Sequence, residues 1–129
     1  MIKPNMDEVG ILIGKPLENQ EECIPILMDL KELGIFMSVL SLGKNGCIAH
    51  LEEEIFRFFT PELPVVNTVG SGDSFVAGCA VALSRGWESI DVIRLGMACG
   101  MANTQFFKTG MISLELVEKF LTVITVERI

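Results

Sequence analysis

Apolar residues recur along this chain at two spacings, and each spacing predicts a different kind of element. Helical intervals separate Leu17, Ile24, Leu27, Leu30 and Leu33, and the helix that they predict ends at Gly34. Residues 35–41 form a nearly continuous apolar run, which is typical of a strand buried on both faces. Residues 47–50 and 55–59 flank the acidic residues 52–54, so they predict a β-hairpin with an acidic tip.

Further helices are predicted before and after these elements. Asn5 is placed to cap a helix over residues 6–13, and two longer helices are expected from Asp73 to about Ser84 and from about residue 88 to residue 106. Ser113 is placed to cap a last helix, whose inward residues would be Leu114, Val117, Phe120 and Leu121. The β-rich tail 122–126 predicts a closing strand. Together these elements indicate one α/β domain over residues 1–129.

Composition narrows the class of partner. The chain has 129 residues, of which 50% are hydrophobic, enough for one core. A net charge of −7 argues against a nucleic-acid groove or an anionic membrane surface. No apolar run approaches the length of a membrane span, no signal peptide is expected, and the four cysteines lack metal-site spacing. We therefore expect a cytoplasmic protein that binds neither nucleic acid nor membrane.

The strongest candidate chemistry lies in residues 67–78. Gly70 and Gly72 flank Ser71 directly before a predicted helix, so backbone N–H groups there can converge on an anion near the positive end of the helix dipole. Asp73 follows at once, and its carboxylate suits a general base that takes the proton of a hydroxyl attacking a phosphorus atom. The alternative is that Asp73 is an ordinary helix N-cap.

This stretch resembles the second signature of the PfkB (ribokinase-like) carbohydrate kinases. The resemblance implies that Gly70, Ser71 and Gly72 form an anion hole and that Asp73 is the catalytic base. It also implies the fold: the C-terminal portion of a ribokinase-like three-layer α/β/α sandwich. ATP and Mg²⁺ would be the cofactors, and a sugar phosphate would be the small-molecule partner.

A second motif of the same family lies at the start of the chain. Lys3, Asn5 and Glu8 are similar to the N-x-x-E motif, which implies phosphate handling that includes Lys3 and a Mg²⁺ ion held by Asn5 and Glu8 through water. The alternative is a helix capping box, because Asn at the N-cap and Glu three residues later have that spacing.

A third motif and a weaker match complete the resemblance. Ser41, Gly43 and Gly46 are similar to the S/T-x-G-x-x-G turn that touches the nucleotide, with a plain hairpin loop as the alternative. Asn103 lies where the family places an adenine-side helix end, so it is a candidate contact to the base or ribose. Its alternative is a solvent-facing helix residue.

The expected activity is phosphate transfer from ATP to a sugar phosphate. The pattern is most similar to the tagatose-6-phosphate kinase branch, then to the 1-phosphofructokinases. The sugar-binding and lid portions of the family are absent from this sequence, so we expect the chain alone to be inactive. An exposed sheet edge would favour a homo-oligomer. A nucleotide-binding or interaction module without catalysis is the alternative of another class.

Overall fold

The computed structural model describes all 129 residues, in two compact units. The first unit comprises residues 1–60 and 125–129, and the second comprises residues 61–124. Each unit is described by itself. The single domain expected from the sequence stays a prediction.

The first unit is a four-stranded sheet with two helices. Its elements are α1 (Met6–Ile13), α2 (Cys23–Glu32), β1 (Met37–Ser41), a 3₁₀ turn (Gly43–Asn45), β2 (Cys47–Leu51), β3 (Glu54–Phe59) and β4 (Thr125–Arg128). The strand order is β1-β2-β3-β4, and every neighbouring pair is antiparallel. Parallel pairing occurs only at isolated bridges, where Ile2 and Asn5 pair with Ser38 and Ser41. Helices and strands occur together in this unit, so the mixed α/β class is confirmed.

Helix α1 begins and ends where its capping residues predict, whereas the start of α2 has no side-chain cap. Asn5 caps α1, and Gly14 ends it in the left-handed conformation at φ 78°. Helix α2 starts only at Cys23, so Leu17 lies outside it, and Pro25 falls in its first turn, where a missing N–H costs no helical bond. Buried side chains from these helices and the sheet form one apolar cluster: Val9, Cys23, Leu27, Leu40, Leu42 and Ile48.

The predicted hairpin is present as β2 and β3. Leu51 pairs with Glu54, so Glu52 and Glu53 form a two-residue turn, in which Glu52 takes a positive φ of 58°. The acidic tip is neutralised from two sides, because Lys31 lies 2.6 Å from Glu53 and Arg128 lies 2.8 Å from Glu54. The tail pairs with β3 as β4, which begins at Thr125 and not at residue 122, because α5 and its cap extend to Thr122.

His50 is a buried polar residue inside this sheet. Its side chain is 1% exposed, neither ring nitrogen has a hydrogen-bond partner, and the same holds for the hydroxyl of Ser38 on the facing strand. Burial lowers the pKa of His50, and the nearby Lys31 lowers it further. The imidazole is therefore held neutral in the folded protein.

We expect the neutral state of His50 to make stability depend on pH. Because its pKa is lower in the folded state, the unfolded chain binds more protons below about pH 6.5, and the free energy of unfolding falls as the pH falls through that range. One proton accounts for at most about 1.4 kcal/mol per pH unit. Urea unfolding of the chain and of His50→Phe at pH 7.5 and 5.5 checks this.

The comparison of the two proteins isolates the histidine, because carboxylates that titrate in the same range are common to both. The pH-dependent loss of stability should be smaller in His50→Phe than in the unchanged chain. An equal loss in the two proteins would show that His50 is protonated or solvated in the folded state.

The second unit is helical. It contains α3 (Ser71–Ser84), α4 (Ser89–Asn103) and α5 (Leu114–Leu121). No helix in the chain is both long and apolar enough to span a bilayer. Helix α3 begins two residues before Asp73, and α4 ends three residues before position 106, so both predicted bounds were wrong. Ser113 caps α5 by accepting from the N–H of Leu116. Leu114, expected to face inward, is exposed.

Small residues let α3 and α4 pack closely. A Cβ on Gly78 would lie 2.9 Å from the carbonyl oxygen of Leu95, and one on Gly96 would lie 2.8 Å from that of Phe75. Both distances are below normal carbon–oxygen contact, so larger residues would push the helices apart. The same contact reaches the first turn of α3, since a Cβ on Gly100 would lie 3.0 Å from the Ser71 carbonyl. Helix α4 thus supports the start of α3.

Candidate active site

The start of α3 presents unpaired backbone donors. Gly70 is the N-cap in the left-handed conformation at φ 85°, and the first helical bond runs from the N–H of Ser74 to its carbonyl. The N–H groups of Gly72 and Asp73 precede that bond and have no acceptor in the chain. The N–H of Gly70 also has no acceptor in the chain. Free donors at the positive end of a helix dipole are suited to an anion such as a phosphate group.

The carboxylate of Asp73 lies beside these donors. Asp73 occupies the third helical position, its side chain is exposed, and it makes no capping hydrogen bond. The N-cap interpretation is therefore wrong, because Gly70 occupies the cap. A negative charge in the first turn is favourable to the helix dipole. The arrangement leaves the carboxylate oxygens available to accept a proton from a bound hydroxyl.

Tertiary packing makes glycine necessary at position 70. A Cβ there would clash with Cγ2 of Thr109 and would lie 3.3 Å from the N–H nitrogen of Gly110. The left-handed φ is itself costly for residues with a side chain. The 67–70 turn is thus built against the loop that follows α4.

Two asparagine side chains join that turn to the same loop. Asn67 accepts from the N–H of Val69 (3.0 Å) and donates to the carbonyl of Phe107 (2.9 Å). Asn103 donates to the carbonyl of Val69 (3.0 Å) and accepts from the N–H of Gly110 (2.7 Å). Asn103 is 1% exposed, so the solvent-facing interpretation is wrong. Its predicted contact to a nucleotide stays a prediction.

In the first unit, the motif at residues 3–8 forms the capping box. Asn5 accepts from the N–H of Glu8, Glu8 accepts from the N–H of Asn5, and both distances are 2.8 Å. One oxygen of the Glu8 carboxylate makes no hydrogen bond, which leaves it able to accept from water. Nowhere in the chain do three or more His, Cys, Asp or Glu side chains gather as metal ligands. These residues fit water-mediated Mg²⁺ binding and not direct coordination by a protein cage.

The structure brings two of the predicted motifs side by side. Asn5 forms a parallel bridge with Ser41, whose N–H donates to the carbonyl of Pro4 (3.0 Å), as does its hydroxyl (3.4 Å). The segment that carries Lys3 and Asn5 therefore runs alongside the end of β1, where the 41–46 turn begins. More than thirty residues separate the two motifs in sequence, so only the fold could place them together.

The 41–46 turn joins β1 to β2, as the hairpin alternative requires, but its construction is unusual. Gly43 and Gly46 both take positive φ, of 58° and 85°. A Cβ on Gly46 would clash with the carbonyl oxygen of Phe58 on β3. Close approach of β3 thus requires glycine there.

Arg57 is a buried cation that the sequence analysis did not identify. It lies on β3 with 7% exposure, and burial lowers the pKa of its guanidinium. Its guanidinium donates to four acceptors: the carbonyls of Asn45, Cys47 and Phe58, and the side chain of Gln20. Two of these carbonyls belong to the 41–46 turn or directly follow it, so Arg57 holds the turn in place. The signal in the sequence is an arginine amid apolar residues, Ile55-Phe56-Arg57-Phe58-Phe59.

The sequence of this chain matches a known protein family. The pfkB family carbohydrate kinase model matches residues 1–115, and the chain belongs to that family. The resemblance read from the motifs is therefore confirmed. The sequence is also 33% identical to the 1-phosphofructokinase of Borreliella burgdorferi over 130 residues, which cover 100% of this chain and 42% of that relative.

Solved structures agree with the assignment. A Staphylococcus aureus protein provisionally assigned as a phosphofructokinase is 29% identical, with a TM-score of 0.86 over 98% of this chain and 41% of its own. Phosphofructokinase-2 of Escherichia coli, in complex with potassium, is 25% identical, with a TM-score of 0.85 over 94% of this chain and 40% of its own. The ribokinase-like fold expected from the sequence is confirmed. The chain spans about two fifths of the length of these relatives.

Proposed function

We propose that this chain provides the phosphate-handling part of a kinase that transfers a phosphoryl group from ATP to a hydroxyl of a sugar phosphate. The observation that carries the proposal is the start of α3, where free N–H groups of Gly72 and Asp73 lie next to an exposed carboxylate without a hydrogen-bond partner. Donors for a phosphate and a base for a hydroxyl are two of the groups that phosphoryl transfer to an alcohol uses.

The free donors and the carboxylate of this turn have defined roles in the proposal. The backbone N–H groups of Gly70, Gly72 and Asp73 would donate to the phosphoryl oxygens, whose negative charge increases during transfer. The N–H of Ser71, expected to join them, donates instead to the carbonyl of Thr68 at 3.1 Å. The carboxylate of Asp73 would accept the proton of the acceptor hydroxyl as that oxygen attacks the phosphorus atom. The proton would then reside on the Asp73 carboxyl group, and the bond between the transferred phosphorus and the bridging oxygen that stays with ADP would break.

The first unit would contribute to nucleotide and metal handling. Lys3 and the 41–46 turn, with Ser41, Gly43 and Gly46, would contact ATP, and Asn5 and Glu8 would hold water bound to Mg²⁺. A bound Mg²⁺ ion offsets the negative charge of the phosphate oxygens. These roles rest on the family motifs, and the free oxygen of Glu8 supports the metal role.

Ketohexose phosphates are the acceptors we propose. The similarity to a 1-phosphofructokinase favours fructose 1-phosphate, and the motif pattern favours tagatose 6-phosphate. A cytoplasmic homo-oligomer remains our expectation. The alternative is a nucleotide-binding or interaction module without catalysis.

The proposal can be tested on the 129-residue chain and on a chimera. We expect calorimetry to detect MgATP binding to the chain alone, without sugar-phosphate-dependent turnover. In the chimera, this chain would replace the matched 42% of the Borreliella burgdorferi 1-phosphofructokinase, and we expect turnover with one of the two sugar phosphates. Binding without turnover in the chimera would favour the module. Absence of MgATP binding by the folded chain would contradict both functions.

Replacement of Gly70 tests phosphate binding at residues 70–73, the anion turn. We expect Gly70→Ala to weaken MgATP binding by roughly tenfold or more, because a left-handed alanine costs about 1–2 kcal/mol and its Cβ would also clash with Thr109. Gly86→Ala is the matched control, since Gly86 at the other end of α3 also has a positive φ, of 70°, but has no neighbour within 4 Å of an added Cβ. Calorimetry that found equal affinities for the two variants would argue against phosphate binding at this turn.

A further inference from the structure

We propose that Asn103 is a positioning residue that sets the direction of the Gly70 N–H group in the anion turn. The inference rests on the proposed function, since the turn's donors must converge on a phosphate. It assigns Asn103 a role in the shape of the site, where the family motif implies direct contact with the nucleotide. The argument starts from the two hydrogen bonds of its buried side chain.

The hydrogen bond from Asn103 to Val69 fixes the orientation of the peptide group between Val69 and Gly70. Asn103 Nδ2 donates to the carbonyl oxygen of Val69, 3.0 Å away, and that carbonyl belongs to the same peptide group as the N–H of Gly70. A trans peptide is planar, so its C=O and N–H point in opposite directions. Holding the carbonyl toward Asn103 therefore directs the Gly70 N–H away from Asn103. No acceptor within the chain takes up that N–H.

The conformational freedom of Gly70 makes this restraint on the peptide necessary. Gly70 has φ 85° and, lacking a Cβ, can adopt several backbone conformations at little cost. Without an external bond, the peptide between Val69 and Gly70 is free to rotate and turn its N–H away from the ligand. Asn103 is suited to prevent this because it lies on the last residue of α4 and is 1% exposed. Its position is thus set by a helix and not by a loop.

The second bond couples the turn to the loop after α4. Asn103 Oδ1 accepts from the N–H of Gly110 at 2.7 Å, next to Thr109, which packs against Gly70. Asn67 adds a parallel connection through the carbonyl of Phe107, but it reaches the other side of Val69, where it accepts from the N–H. Only Asn103 bonds the peptide that carries the Gly70 N–H.

This difference between the two asparagines defines the test. Asn103→Leu is close to isosteric and removes both bonds, whereas Asn67→Asp keeps the acceptor for the Val69 N–H and loses only the donation to Phe107. Asn103→Asp keeps the acceptor for Gly110 and loses the donor to Val69. Asn103→Asp and Asn67→Asp each add one negative charge near the turn. The two variants therefore repel phosphate to a similar extent and can be compared directly.

Amide spectra and calorimetry of the 129-residue chain provide the readouts. In the unliganded chain, we expect Asn103→Leu and Asn103→Asp to move the Gly70 amide resonance and to speed its hydrogen exchange, and Asn67→Asp to leave it nearly unchanged. With ATP, we expect Asn103→Asp to bind roughly tenfold more weakly than Asn67→Asp, and Asn103→Leu to bind roughly tenfold more weakly than the unchanged chain, the equivalent of one hydrogen bond to a charged group.

The outcomes separate this inference from the proposed function. A Gly70 amide that keeps its resonance and exchange rate in a folded Asn103 variant overturns the positioning role, whatever the chain binds. If Asn103→Leu fails to fold, Asn103→Asp supplies the same comparison. Failure of the unchanged chain to bind ATP would count against the proposed function, while the unliganded spectra would still decide what orients the peptide.

Discussion

Replacing Asp73 with Asn is expected to lower kcat by about 10²–10⁴-fold, the usual contribution of a general base. The variant keeps the size and hydrogen-bonding capacity of the side chain but removes its ability to accept a proton at neutral pH. The structure supports this expectation because the Asp73 carboxylate has no structural hydrogen bond to lose. Turnover by the chimera with the Borreliella burgdorferi enzyme, at saturating ATP and sugar phosphate, measures the effect.

Binding by the 129-residue chain gives a second, independent readout. Because the carboxylate repels phosphate, we expect Asp73→Asn to leave ATP affinity unchanged or slightly higher. Asp91→Asn is the matched control, since Asp91 lies in the first turn of α4 and forms only an exposed ion pair with Arg94. A variant at Asp73 that turned over as fast as the Asp91 control would remove Asp73 from the role of base.

Replacing Arg57 with Leu is expected to lower the free energy of unfolding by about 1–3 kcal/mol or more, because leaving a buried hydrogen-bond acceptor unsatisfied costs about that much. The guanidinium satisfies three backbone carbonyls and one side chain, and leucine satisfies none of them. The loss would fall on the carbonyls of Asn45 and Cys47, around the 41–46 turn. Urea unfolding of the chain measures the change.

Arg57→Lys and Arg128→Leu separate the possible origins of that cost. Lysine keeps the charge but not the planar fork of donors, so we expect it to recover only part of the stability. Arg128 on β4 is 68% exposed and pairs with Glu54 at the surface, so Arg128→Leu should cost less than about 1 kcal/mol. If Arg57→Leu were no more destabilising than Arg128→Leu, the buried hydrogen bonds would contribute little to the fold.

The sequence predicted most elements of this fold because their signals are local. Asn5 and Ser113 mark helix starts, and Gly14 marks a helix end, through bonds made within a few residues. The errors lie where distant contacts decide the boundary. Helix α3 begins at Ser71 because Gly70 takes the cap in the left-handed conformation, at a position where Thr109 leaves no room for a Cβ.

The site divides in the same way. The amino-acid order alone determined the glycines at 70 and 72, the adjoining carboxylate of Asp73 and the family to which they belong, because a helix start with small residues is encoded within one short segment. Only the tertiary structure decided that Asp73 is free of the cap, that Asn103 is buried against Val69, and that Arg57 holds the 41–46 turn. The last two facts depend on hydrogen bonds between residues far apart in the chain, and no local pattern specifies which distant carbonyl a side chain will reach.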